Sequence, residues 1–206
     1  MQRSTSILGI VLVSALGLVH CKKTPEPTGS GGPSLLASGA GEKPGAPAAP
    51  PSAQTIGVTW VDPEGWPRDP KPRPMRNATF IVTRAPGDSE DGELSITYFG
   101  PGQGGDTQKN VERWLGQFTD RKPDEGRQAD RTVNGLVQHT LEIDEGTFSS
   151  GMPGGPQKAK KDYALLGAIV TAPSGAYFFK LTGPKATVNA ARDKFYKFLD
   201  SVKPSG

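Results

Sequence analysis

Cysteine occurs once in this chain, at Cys21, which excludes an internal disulfide framework and any cysteine-rich zinc site. Histidine occurs twice, at His20 and His139. A zinc centre would therefore need mostly carboxylate ligands, an uncommon arrangement. An excess of one charge is also missing. The 24 basic and 21 acidic side chains leave a formal +3, too even a balance for a dedicated nucleic-acid binder. No apolar run reaches the roughly twenty residues that a helix needs to span a bilayer, and no repeat of fixed period is visible. What is plentiful is glycine, at 27, and proline, at 20, in 206 residues. Together they approach the level of low-complexity sequence, although a third of the chain is hydrophobic, so one part folds and another does not.

The longest apolar run, "ILGIVLVSALGLV", is about thirteen residues and follows Arg3. This pattern predicts an export signal over residues 1–20 rather than a membrane span. Leu18, Val19 and His20 then precede Cys21, an arrangement that resembles the lipobox of bacterial lipoproteins. His20 stands where that family has Gly, Ala or Ser. The resemblance implies that the Cys21 thiol takes a diacylglycerol and becomes the acylated first residue after cleavage. Several acyl chains, each adding about 0.8 kcal/mol per buried CH₂, would anchor the protein stably. Lys22, in place of the aspartate of inner-membrane retention signals, implies sorting to the periplasmic face of the outer membrane. Residues 21–54, "CKKTPEPTGSGGPSLLASGAGEKPGAPAAPPSAQ", hold too little apolar surface to offset ordering entropy. They read as a tether with a reach on the order of 30 Å.

Residues 55–206 read as a single α+β domain. "TIGVTWV", "MRNATFIVTR" and "GELSITYF" alternate as strands, the last two joined by the turn-rich "APGDSEDG". "DTQKNVERWLGQFTD" places Val111, Trp114, Leu115 and Phe118 on one helical stripe, with Asp106 or Thr107 as N-cap. "RTVNGLVQHTLEID" carries an Asn-Gly turn signal at Asn134, and its alternation puts Val137, His139, Leu141 and Ile143 on one buried face. "DYALLGAIVTA" and "AYFFKLTG" flank a short "PSG" turn, and "KATVNAARDKFYKFLDSVK" aligns Val188, Ala191, Phe195, Leu199 and Val202 on a terminal helix. The order β-β-β-α-β-β-β-α with short connections predicts an antiparallel sheet of about six strands with two packed helices. This order, the turn before "AYFFKLTG" and the closing "FYKFLDSVK" resemble the PsbP-like family of extrinsic photosystem proteins and lipoprotein relatives. The resemblance implies an α/β/α sandwich and a binding role without a shared catalytic apparatus. The stretch "WVDPEGWPRDPKPRPMR" has no clear counterpart there.

Four groups of residues are candidates for chemistry. In "GPGQGGD", Gly100, Gly102 and Gly105 satisfy G-x-G-x-x-G between a strand and a helix. The antiparallel context argues for a flexible glycine loop over a dinucleotide fold, yet a small-ligand or nucleotide module using Gly100 to Gly105 is the alternative reading. His139 on an apolar face reads as a core or edge residue before a catalytic base, and Ser149 and Ser150 read as part of a glycine-rich loop with nothing to place them near it. Lys158, Lys160 and Lys161 read as a basic loop that keeps the chain soluble or touches anionic lipid. The acid pairs Glu90 with Asp91 and Asp124 with Glu125 read as solvated turns.

The fifth feature is the arm, thirteen residues from Asp62 to Pro74 of which five are proline. It brings together Trp60, Trp66, Arg68, Arg73 and Arg76, residue types enriched at binding hot spots. The structural alternative is that both tryptophans fold back onto the core edge. The sequence thus predicts a non-catalytic lipoprotein of the cell envelope, anchored through Cys21, with no cofactor. Its domain binds a protein or envelope component through the arm; a hydrolase built on His139 ranks below both other readings. Metabolic labelling with an azide-bearing fatty acid tests the anchor: the wild type incorporates label and Cys21→Ser does not, while equal incorporation refutes it.

Overall fold

Two tight turns set the register of the sheet. Asn134 and Gly135 take φ of 51° and 78°, the pair of left-handed residues that a type I′ turn requires. They join two strands in the register Val133↔Leu136. Pro173 and Ser174 make the second two-residue connection, closing Ala172↔Gly175.

A computed structural model describes residues 57–122, 126–150 and 158–205, all within the second of the two units into which the chain divides, Ala49–Gly206. The signal, Cys21, the tether, Asp124, Glu125 and residues 151–157 lie outside the described residues. The elements are β1 (Val58–Thr59), β2 (Arg76–Val82), β3 (Gly92–Tyr98), α1 (Thr107–Leu115), β4 (Phe118–Thr119), β5 (Arg127–Val133) and β6 (Leu136–Ser150). There follow β7 (Lys158–Ala172), β8 (Gly175–Pro184), α2 (Lys185–Ala190), α3 (Arg192–Asp200) and β9 (Lys203–Pro204). Seven strands form one sheet in the order β2-β3-β8-β7-β6-β4, with β5 also paired to β6. Each pairing is antiparallel, as the short connections require. The fold is of the α+β class. The short β1 pairs with β9 in a separate ribbon.

The central strand explains the layering. Every residue of β7 from Tyr163 to Val170 is buried, so both faces of the sheet must be covered there. Ala164, Leu166, Ala168 and Val170 share one core with Phe80, Leu94, Ile96, Phe179, Val188, Phe195, Phe198 and Leu199. The α2–α3 segment covers this face. Tyr163, Leu165 and Ile169 share the other core with Val111, Trp114, Phe118, Phe148 and Phe178. Here α1 is the cover. Between Leu165 and Ile169, Gly167 admits the Trp114 ring, which a Cβ at that position would meet at 2.6 Å.

Five expectations need correction. The face of β6 is not a single apolar one: Gln138 and Thr140 are buried and Val137 is 51% exposed. The cause on one side is coverage by α3, which receives the Gln138 amide at the Leu199 carbonyl, 3.0 Å away. Phe118 lies on β4 and not on the helix. The Gly116 amide bonds the Glu112 carbonyl at 2.8 Å, Ser149 N–H bonds the Gln117 carbonyl at 2.8 Å, and Phe118 then pairs with Phe148, so the sheet draws the chain away from the helical path. Lys158, Lys160 and Lys161 belong to β7 and not to a loop, because the β6–β7 hairpin extends to the register Ser150↔Lys158. The terminal helix also divides, at Ala191, into α2 and α3. The seventh sheet strand comes from the polar β5, which shows only intermediate or exposed positions and therefore has no apolar stripe to announce it.

Phe195 is 1% exposed beneath the sheet. Truncation to Ala should cost about 3–5 kcal/mol, a large part of a domain stability of roughly 5–15 kcal/mol. A Phe195→Ala protein should show a clearly lower midpoint of urea unfolding, and an unchanged midpoint refutes this packing.

Candidate functional site

Proline removes amide donors at five positions of the arm, yet several of its remaining backbone groups are used. Asp69 N–H donates to the Thr79 carbonyl at 2.8 Å and Ile81 N–H to the Pro67 carbonyl at 2.9 Å, framing an antiparallel bridge between Arg68 and Phe80. The arm thereby covers the free edge of β2. Pro67 and Pro70 flank the bridge with no N–H to offer a further strand, a recognised way of closing an edge.

The side chains of the arm divide by direction. Trp66 is 7% exposed within the α2–α3 core, with the Lys194 ammonium 5.7 Å from its ring. Trp60 is half-buried edge-on against Phe179, with ring centroids 6.1 Å apart, and its indole N–H donates to Asp62 at 3.2 Å. Both tryptophans turn inward. The arginines turn to carboxylates. Arg68 grips Asp62 with Nε and Nη2 at 2.6 and 2.7 Å. Arg73 bridges Asp69 at 2.9 Å and Glu93 at 3.0 Å, and Arg76 meets Glu93 at 2.6 Å. The Lys71 amide and the Arg73 guanidinium hold the Asp69 carboxyl below its ordinary range.

Where the arm leaves β1, it faces α3 across a cleft of about 590 Å³, a size within the usual range for ligand sites. Val61, Pro63 and Phe198 give it apolar walls, and Asp62, Glu64, Asp193, Lys194, Lys197 and Ser201 complete the lining. The geometry is fastened at both ends. Val61 N–H donates to Ser201 Oγ at 3.1 Å, and Lys194 Nζ donates to the Glu64 carbonyl at 3.0 Å. Val61 itself is 71% exposed.

The remaining candidates are placed as follows. In the glycine loop a Cβ at Gly104 would meet the Phe178 ring at 2.7 Å, so this glycine serves a close approach to the sheet. The loop opens α1, whose N-terminus is capped by the Asp106 carboxylate accepting from Lys109 N–H at 3.2 Å. A carboxylate of the chain itself thus stands where a nucleotide phosphate would sit. His139 is half-buried on the sheet; Nδ1 lies 2.5 Å from Asp130 Oδ1 and Nε2 3.1 Å from Gln128 Oε1. Both ring nitrogens face acceptors on β5. Glu90 pairs with Lys160 at 2.6 Å, and Asp91 accepts from the Arg84 amide at 3.0 Å. Among the described residues no cluster of three or more His, Cys, Asp or Glu could hold a metal ion, and no helix is long and apolar enough to cross a membrane.

Two groups escaped the sequence reading. One is a charged cluster on β6. Asp144 accepts from Arg127 at 2.5 and 2.9 Å and from Arg192 at 2.6 Å. Glu142 accepts from Arg127 at 2.7 Å, from Tyr196 at 2.5 Å and from Arg192. The alternation of Glu142 and Asp144 marks one face, but nothing local names partners on β5 and α3. The other is Lys180 on β8, which reads in sequence as an ordinary polar position. Hydrogen bonds from Arg127, then from Arg192, hold the Asp144 carboxyl at about 2. Burial, followed by the Glu142 hydrogen bond, pushes the Tyr196 phenol up to about 12.

The sign for Asp144 follows from its lowered folded value. Its ion pairs stabilise the fold fully above the ordinary carboxyl pKa, near 4, and the contribution is lost as pH falls toward about 2. Asp144→Asn should therefore flatten the decline of urea midpoints between about pH 4 and pH 2, whereas a decline as steep as in the wild type refutes the assignment. No protein-family model matches the chain, and no curated protein matches it.

Proposed function

We propose that this protein is a non-catalytic lipoprotein of the cell envelope whose α+β domain binds a protein or envelope component at the cleft between the arm and α3. The observation that carries the reading is the cleft itself: about 590 Å³, apolar-walled and rimmed by charges of both signs. Ligand sites commonly have this make-up, apolar walls for affinity and a few polar groups for orientation. Export through residues 1–20, acylation at Cys21 and a tether over 21–54 would hold the domain near the periplasmic face of the outer membrane. The PsbP-like α/β/α sandwich belongs to the same proposal, and the order of elements supports it, as do helices against both sheet faces. Where the arm begins, the contact falls to Val61 just before it, to Pro63 and to the outward charges, because Trp60 and Trp66 are engaged with the core.

A photo-crosslinking amino acid at Val61 tests this in intact envelopes, with Thr132 on β5 as the remote control. A discrete adduct should form from Val61 and not from Thr132. With the photo-crosslinking amino acid moved to Pro63, Val61→Asp with Lys197→Glu should melt as the wild type does and lose recovery of that crosslinked partner. Equal adducts from both sites, or full recovery by the double variant, refute the cleft as the binding surface.

A further inference from the structure

Asn134 carries two tasks at once. Its backbone turns β5 into β6, with φ of 51° followed by 78° at Gly135. Its side chain meanwhile reaches the far end of the domain, where Nδ2 donates to the Asp200 carbonyl and to the Val202 carbonyl, each at 2.9 Å. Ser201 lies between those two carbonyls, and its Oγ receives Val61 N–H at 3.1 Å. Two residues on, Lys203 and Pro204 pair with Thr59 and Val58. Ser205 N–H then donates to the Gly57 carbonyl at 3.2 Å, while Ser205 Oγ accepts from Gly57 N–H at 2.9 Å. One amide thus grips the end of α3 at the point from which the β1–β9 ribbon and the cleft are fastened. Gln138 assists through the Leu199 carbonyl, but Gln138 is buried and Asn134 is exposed to water.

The sequence at this tie is chemically labile. Asn134 is the one asparagine of the chain followed by glycine; Asn77, Asn110 and Asn189 precede Ala78, Val111 and Ala190. With no Cβ on Gly135 to obstruct it, the Gly135 amide nitrogen is free to attack the side-chain carbonyl carbon of Asn134. A C–N bond forms, the side-chain nitrogen leaves as ammonia with the Gly135 amide proton, and a succinimide results. Water then opens the ring, which leaves a carboxylate at position 134 as aspartate or isoaspartate.

We propose that Asn134–Gly135 is a deamidation site, and that the modification is a one-way release of the α3 end that loosens the cleft. The attack requires the Asn134 side chain to leave its two carbonyls, so reaction follows opening. Closing again then fails, because an ionised carboxylate has no N–H to donate and faces two carbonyl oxygens. The neighbouring Arg131 guanidinium is already in use, paired with Asp200 at 2.9 Å and donating to Gln138 at 2.9 Å. Isoaspartate also lengthens a two-residue turn by one backbone atom and disturbs the Val133↔Leu136 register. The effect on a bound partner rests on the cleft being the binding surface, as proposed above; the release itself does not.

The test holds the full chain at mildly alkaline pH, folded and in urea, and follows the Asn134 peptide by mass spectrometry for the gain of one dalton. In the folded chain deamidation should appear at Asn134 and not at Asn77, Asn110 or Asn189, and more slowly than in urea. Ser201→Ala, which removes the Val61 tie, should speed it by up to about fivefold, the factor for one hydrogen bond. Hydrogen exchange reads the product. Asn134→Asp should raise exchange in residues 57–61 and 202–205 on the order of thirtyfold, the factor for two hydrogen bonds, with β7 unchanged. Asn134→Gly keeps the left-handed turn and removes the donors without adding charge, so it should raise the same exchange and exclude a faulty turn as the cause. Folded deamidation as fast as in urea, none in the folded chain, an unchanged rate in Ser201→Ala, or wild-type exchange in Asn134→Asp overturns the proposal. Recovery of the partner crosslinked at Pro63 is measured on the same Asn134→Asp protein. Raised exchange with lost recovery supports both readings, whereas raised exchange with full recovery supports the release and removes the cleft as the binding surface.

Discussion

From Tyr163 to Val170 the β7 strand is buried without interruption, and the remaining elements are arranged to make that possible. A strand buried on both sides needs a cover on each, so the helical segment after β3 and the one after β8 must end on opposite faces. The energetic weight lies here. Each fully buried Leu, Ile, Val or Phe contributes about 1.5–3 kcal/mol relative to exposure, whereas an exposed ion pair contributes about 0–1 kcal/mol. Gly167 shows how closely the cover fits, since Trp114 occupies the volume that any side chain there would claim.

The charged groups refine what the core decides. Arg127 is half-exposed, so its contacts with Glu142 and Asp144 add little stability, but they are specific in register. A shift of β5 by one residue would turn Arg127 to the opposite face and leave Glu142, whose side chain is 14% exposed, with fewer donors. Arg192 and Tyr196 bring α3 to the same two carboxylates. One pair of acids therefore joins an edge strand to a helix, beside the pairing of Arg131 with Asp200 and its stacking over Tyr196, which is an orienting role that a small energy is enough to fill.

Legibility in the sequence followed the same division. Elements with strong local patterns were readable: β2, β3, β7, β8, the Asn134-Gly135 turn and the stripe of Val188, Phe195 and Leu199 depend on neighbours in sequence. Misreadings arose where distant chain decides. Gln138 resembles a solvent-facing residue until the Leu199 carbonyl of α3 is placed over it, and Phe118 fits the helical period until β6 captures it. Of the arm, the tryptophans, arginines and prolines were visible, but their direction was not, because the carboxylates of Asp62, Asp69 and Glu93 that engage the arginines carry no local mark. The cleft was illegible for the same reason, since Val61 and Phe198 are 137 positions apart and line it together only once the ribbon of β1 with β9 and the Val61–Ser201 hydrogen bond are in place. Lys180 illustrates the limit most simply: a lysine between Phe179 and Leu181 shows the period of a strand and nothing of the Gln117 side chain that accepts from its ammonium.

The two ends of the sheet are closed by different means, and the difference bears on the cleft. At β5 the edge carries Arg127, Asp130 and Arg131, charges that discourage a further strand. At β2 the edge is covered by Pro67 to Asp69, which works only if the arm is stiff and anchored. Trp66 in the core and Arg68 on Asp62 supply the anchors, and the prolines supply the stiffness. The same fixation presents Val61 and Pro63 at a set distance from α3, so a ligand entering the cleft would meet walls already in place. Preorganisation of this kind lowers the ordering cost of association. The features that first mark the arm as a contact surface thus act one step removed from contact, by holding the cleft open while they close the sheet.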